Sequence, residues 1–326
     1  MRSSEASRRL AVAVALAAAC ALPRSSPAQT KPAAGFAVDR FYPSAPGGGW
    51  LVMDDLDLRG PLGGAAGLTT VYGMKPLRVP GPSGDLAVVS NEVYSDFAFA
   101  IAYDRWRLYL DLDMPFVLRG DTGTASGYSF AAPAVDLGSN PDTLTDARLG
   151  FDGRLVGEPG DAFRLGAGAQ VFSPQGRNED YDTDGTVRAM FRVLAAGDVG
   201  PLKYAAQLGV HVRPLDDSPV PGSPRGSELL FGAAAGPRFR LDDTARTWLT
   251  VGAEVFGQTA FRSPFDSDAT GIEALLSARV EATRQDGSLV RLRLGVGPGI
   301  DPHFGSAEWR VVAGIEISER VKPRAP

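Results

Sequence analysis

The sequence is poor in the residues that most chemistry needs. It holds a single cysteine, Cys20, and two histidines, His211 and His303. One cysteine excludes a disulfide framework within the chain and a thiolate metal centre. No G-x-S-x-G motif accompanies the histidines, and no phosphate-binding or dinucleotide fingerprint occurs. Blocks of like charge are missing, and the formal net charge is −5. Both facts argue against a nucleic-acid surface. Beyond the first residues there is no apolar run of 18 or more, so no helix is expected to span a bilayer. These absences favour a protein without an enzymatic role.

Turn-forming residues are abundant, with 39 Gly and 25 Pro in 326 residues. That composition suits a chain with many reversals. At the N-terminus Arg8 and Arg9 precede an apolar run, Leu10 to Leu22, and Ser26-Pro27-Ala28 follows. This is the layout of a secretory signal, predicted to span residues 1–28 with cleavage after Ala28. Lipidation at Cys20 is the weaker alternative, because Ala17-Ala18-Ala19 lacks a large aliphatic residue three places before the cysteine. The expected organisation is therefore a leader (1–28), a barrel (29–318) and a polar tail (319–326).

The remaining chain alternates apolar and polar residues with a period of two, the mark of strands with two unlike faces. In Leu202 to Arg213 the even positions are Leu202, Tyr204, Ala206, Leu208, Val210 and Val212, and the odd ones are polar or small. In Trp106 to Leu118, Trp106, Leu108, Leu110, Leu112, Met114, Phe116 and Leu118 oppose Arg107, Tyr109, Asp111 and Asp113. Such segments run about 10–14 residues, whereas soluble strands run about 5–6 and a tilted membrane strand needs about 9–11. Short connections (103–105, 157–161, 197–200, 284–287) alternate with long ones (119–143, 173–185, 214–226, 258–271). Short inner turns and long outer loops are the outer-membrane pattern. The fold expected is an all-β, antiparallel transmembrane barrel.

Thirteen segments carry the pattern: 50–59, 65–78, 88–104, 106–119, 144–156, 162–173, 186–198, 201–213, 227–241, 246–258, 271–284, 288–299 and 306–318. A barrel with both ends on the inner side needs an even number. Counting Phe36–Pro43 as a further strand gives 14, the preferred count; discounting 50–59 gives 12. Trp106, Tyr204, Trp248 and Trp309 stand near strand ends and are candidates for interfacial girdles.

Phe36-Ala37-Val38-Asp39-Arg40-Phe41, Gly49-Trp50 and Asp54-Asp55-Leu56-Asp57-Leu58-Arg59-Gly60 resemble the barrel region of large exported proteins of myxobacteria and related deltaproteobacteria, associated with the OmpA family. Residues 192–200, 226–236 and 295–299 carry the same resemblance. It implies an outer-membrane barrel and marks strands and turns rather than chemistry. The OmpA-like peptidoglycan-binding domain of that group is not found before Pro326, and Glu319 to Pro326 is polar where many barrels end on an aromatic residue.

The polar face assigned to the lumen carries Arg107, Asp111, Asp113, Arg148, Asp152, Arg154, Arg164, Arg188, Arg192, Lys203, Arg213, Glu254, Arg279, Arg291 and Arg293. Cross-strand ion pairs are one use of such charges, and a selective, porin-like path for a small solute is another. The alternative is a plugged, non-conducting barrel whose loops bind a partner. The loop 119–143 is long enough to fold inward and decide between them. A barrel-embedded lipid hydrolase using His211 is a distant third reading, and His211 is expected to pack or hydrogen-bond in the lumen. Asp180, Asp182 and Asp184 form D-x-D-x-D-G with Gly185, half of a calcium loop, but Phe191 occupies the twelfth position; a solvated acidic turn is the simpler account. The partners expected are outer-membrane lipid and the insertion machinery.

Overall fold

The structure, a computed structural model, describes residues 30–58, 62–81, 84–141, 144–215, 226–302 and 305–320. The leader 1–28, Cys20, His303 and most of the tail lie outside them. Among the described residues sixteen strands occur in chain order. Four are short: β1 (Lys31–Pro32), β5 (Gly123–Ala125), β6 (Tyr128–Phe130) and β7 (Ala134–Asp136). The other twelve form the wall: β2 (Gly63–Val79), β3 (Leu86–Tyr103), β4 (Trp106–Arg119), β8 (Ala147–Val156), β9 (Arg164–Ser173), β10 (Arg188–Val199), β11 (Leu202–Val212), β12 (Glu228–Arg240), β13 (Thr247–Ala260), β14 (Thr270–Thr283), β15 (Leu289–Asp301) and β16 (Trp309–Arg320).

Each wall strand pairs antiparallel with its neighbours, and β16 pairs with β2 from Trp309↔Met74 to Arg320↔Gly63. The sheet thus closes on itself and leaves no wall edge unpaired, as hydrocarbon surroundings require. The wall has the lower of the two expected counts. Neither Phe36–Pro43 nor 50–58, the described part of 50–59, is a wall strand. Both lie inside the barrel, where residues of either parity are buried: Trp50, Leu51, Val52 and Met53 are all 0–4% exposed.

Alternation sorts the wall as expected. Phe99, Ile101, Leu208, Leu292 and Leu294 point outward, and Leu294 is 61% exposed. This belt is far more extensive than the apolar patches of soluble monomers, and lipid is the medium that matches it. Trp106 and Trp309 belong to the belt, at opposite ends of the barrel. Trp106 stacks on Phe151 at 5.4 Å. Tyr204 is half-buried and donates to the Ala162 carbonyl at 2.7 Å. Trp248 departs from the girdle expectation. It shares the lumenal parity of Thr250 and Glu254, and Arg238 lies over its ring at 4.3 Å.

The turns Asp104–Arg105, 157–163, 200–201, 241–246 and 284–288 gather at one end. The strand ends joined by longer connections, including 120–146, 174–187 and 213–227, lie at the other. By turn length these are the inner and outer ends.

Candidate functional site: the occupied lumen

Residues 36–58 fill the barrel from end to end. At the outer mouth β1 pairs in parallel with β6, and Ala33 N–H donates to the Ser129 carbonyl at 2.8 Å. At the inner end Arg154 donates to the carbonyls of Leu56 (3.2 Å) and Leu58. The described residues of the loop 119–143, up to residue 141, do not fold through the lumen. Its strands β5 and β6 form a small sheet with β1 over the outer mouth.

The charges assigned to the lumen from sequence hold this segment in layers. In the outer layer Arg213 binds Asp184 through Nη2 (2.6 Å) and Nε (2.7 Å), and Glu228 through Nη1 (2.5 Å). Asp184 also accepts from Ala37 N–H at 2.9 Å and lies 3.7 Å from Arg188 Nε. Arg213, bonded to Asp184 in the loop at this mouth, holds its carboxyl well below the usual carboxylate range. Arg188 pairs with Asp146 at 2.5 Å. His211 is buried between Tyr42 and Phe172, with Nδ1 3.8 Å from Glu228. That matches a packing role.

In the middle layer Arg310 meets Glu273 (2.7 Å), Glu92 (3.2 Å) and Asp39 (3.4 Å), and its guanidinium lies over Phe41. Arg148 bridges Asp111 (2.7 Å), Asp96 (3.4 Å) and the Pro43 carbonyl (3.0 Å). Asp113 is half-buried opposite Asp96. Arg293 donates to Ser44 Oγ (2.9 Å), the Trp50 carbonyl (3.0 Å) and Thr69 Oγ1 (3.2 Å). Glu254 accepts three consecutive backbone N–H groups, from Leu51 (2.9 Å), Val52 (2.9 Å) and Met53 (3.4 Å). A carboxylate so placed satisfies a tight turn that no strand could pair.

In the inner layer Arg107 joins Asp54 of the segment to Asp152 of the wall, and Arg192 also binds Asp152 (3.0 Å). Asp55 receives Arg279 (3.4 Å) and Lys203 (3.9 Å), while Arg164 Nε donates to its carbonyl (3.0 Å). Glu316 accepts from Gly47 N–H (2.9 Å) and Arg291 (2.6 Å).

Between these layers Phe41, Trp50, Leu51, Val52, Met53 and Leu56 pack on Val71, Leu194, Phe256, Leu275 and Val312 of the wall. Wall glycines make room for them. A Cβ on Gly295 would stand 2.2 Å from Leu51, and one on Gly232 would stand 2.4 Å from Met53. The free space left includes a cavity of about 200 Å³ at the inner mouth, beside Asp57, Arg238, Trp248 and Glu281, and one of about 30 Å³ near Asp39, Asp113, Asp146 and Arg188.

The structure therefore brings the assigned charges together around a peptide. They do not line an open path. Arg240, at the end of β12, is exposed at the inner rim. Asp180, Asp182 and Asp184 diverge instead of converging on a cation: Asp180 accepts from Ala134 N–H (3.1 Å), Asp182 from Arg177 N–H (2.6 Å), and Asp184 binds Arg213. Among the described residues no group of three or more metal-ligating side chains is placed to hold a metal ion. Sequence reasoning missed the segment as an occupant of the lumen, together with Asp54, Asp55 and Glu228, and it considered Asp184 for a cation rather than as the partner of Arg213. The available signal was Asp54-Asp55 within an apolar stretch following Gly47-Gly48-Gly49.

No family model matches the chain, and no curated protein does. Among solved structures it is similar to an outer-membrane channel from Pseudomonas putida F1, at 11% identity and a TM-score of 0.48, covering 81% of this chain and 98% of that one. The translocator domain of the autotransporter NalP from Neisseria meningitidis gives 13% identity and a TM-score of 0.45, covering 82% and 91%. OmpT, an outer membrane protein of Vibrio cholerae, gives 14% and 0.30, covering 79% and 96%.

Proposed function

We propose that this protein is an outer-membrane barrel closed by its own N-terminal segment, a non-conducting anchor rather than an open pore. The observation that carries this reading is the filling of the lumen by residues 36–58, with an apolar core and buried ion pairs at every level. A path for solutes needs a continuous wet channel, and the packed segment interrupts it. Signal-directed export with cleavage after Ala28 and insertion among outer-membrane lipid complete the reading. No catalytic role is proposed.

Planar-bilayer recording tests it. The full mature chain is expected to give no conductance steps, and a variant lacking residues 30–58 is expected to give them. Steady conductance of the full chain, equal to that of the deletion variant, would sink the closed reading.

A gated path is the second reading. One observation favours it: among the described residues the segment 36–58 shares no backbone-to-backbone hydrogen bond with a wall strand. It can leave without breaking the wall's ladder.

A further inference from the structure

The direction of the lumenal segment has a functional meaning. Lys31 and Pro32 lie opposite Tyr128 and Ser129, within the connection between β4 and β8 at the outer mouth. Asn178, in the outer connection between β9 and β10, donates to the Gly35 carbonyl at 3.2 Å. Leu58 meets Arg154, which also pairs at 2.9 Å with Glu158 of an inner turn. Gly63 then opens β2 opposite Ala102, one residue from the inner turn at Asp104–Arg105. The chain thus enters the lumen from outside, descends, and begins its wall at the inner face.

We propose that the barrel displays its own N-terminal end on the cell surface, so that Thr30–Ala33 face the medium. This rests on the closed outer-membrane reading above and adds a task to it. The wall and the buried charges serve as a mount, and the β1–β6–β5 sheet fixes where the displayed end emerges. Lys31 is exposed, as are Thr124, Ser126 and Gly127 of the hairpin beside it. The length of chain ahead of Thr30 is irrelevant to the geometry. A peptide or domain attached there would be held outside by the same contacts.

Single-cysteine labelling of intact cells with a membrane-impermeant maleimide tests this, since the only native cysteine lies in the leader. Lys31→Cys is compared with Ser139→Cys, in an outer loop, and Gln285→Cys, in an inner turn; all three positions are exposed. Heat-modifiable migration establishes that each variant has folded. Lys31→Cys and Ser139→Cys are expected to label on intact cells to the same extent, and Gln285→Cys to label only after permeabilisation. Labelling of Ser139→Cys with loss of labelling at Lys31→Cys would overturn the display proposal and leave the barrel's orientation standing. Loss at Ser139→Cys, with or without gain at Gln285→Cys, would overturn the membrane reading and the proposal with it.

Discussion

The wall and the segment it encloses are built on opposite principles. In the wall, backbone groups pair with backbone groups across twelve strands, and side chains only choose between lipid and lumen. In the segment, backbone groups are answered largely by side chains: Glu254 takes three N–H groups, and Arg154, Arg164, Arg293 and Arg148 take carbonyls. The first arrangement tolerates many sequences, because every residue brings the same peptide group. The second depends on particular charges at particular heights. The wall sets the architecture, whereas the segment sets which single occupant fits it.

The sharpest way to break this contrast is to remove one buried cation. Arg310→Met would leave Glu273, Glu92 and Asp39 facing one another without their shared partner. Loss of one member of such a group costs about 3–5 kcal/mol. A marked fall in the temperature of the heat-modifiable transition is expected, and an unchanged transition would show that the ion pairs are ornamental. A smaller effect should come from Gly295→Leu, which sets a side chain against Leu51 without touching the ladder. Overpacking of this kind costs about 1–3 kcal/mol. The expected signature is conductance in bilayers with heat-modifiable migration retained, which separates displaced segment from damaged wall.

Acid gives the mildest perturbation. The Asp184 carboxyl titrates below its ordinary value of 3.8, chiefly because Arg213 opposes the desolvation of its charged form. A lowered folded pKa stabilises the fold above the unfolded value, and that contribution disappears as pH falls from 3.8 through the lower folded value. Proteolytic release of the N-terminal end should therefore increase below that pH, and Asp184→Asn should flatten this part of the profile. Identical profiles for the two proteins would show that this contact does not hold the outer end.

The wall was legible because lipid and lumen impose a period of two on every strand, as Leu202 to Val212 shows. The segment was illegible for a related reason. Trp50-Leu51-Val52-Met53 and Phe36-Ala37-Val38 look like strands because they are apolar and extended, yet they are buried on all sides by a closed surface. Period alone cannot say whether a strand-like stretch joins a sheet or lies inside one. Arg107, Arg148, Arg164 and Glu254 are legible as polar-face residues and are buried in the structure. Their partners were not recoverable, since Asp54 and Asp55 meet Arg107 and Arg279 only after the sheet has closed. At Asp180–Asp184 the spacing in a loop does not fix where the carboxylates point, and the three take separate partners.

The closure of β16 onto β2 makes the molecule a thread through a ring, with one end of the thread tied to the ring. The thread is tied at the inner rim, where both Leu58 and the first residue of β2, Gly63, lie. Pulling the free end outward only draws the thread taut, and the bore stays filled. The thread clears the bore only by retreating inward, and that retreat carries its outer end through to the other side. An open passage and a displayed N-terminus are therefore mutually exclusive states of the same chain.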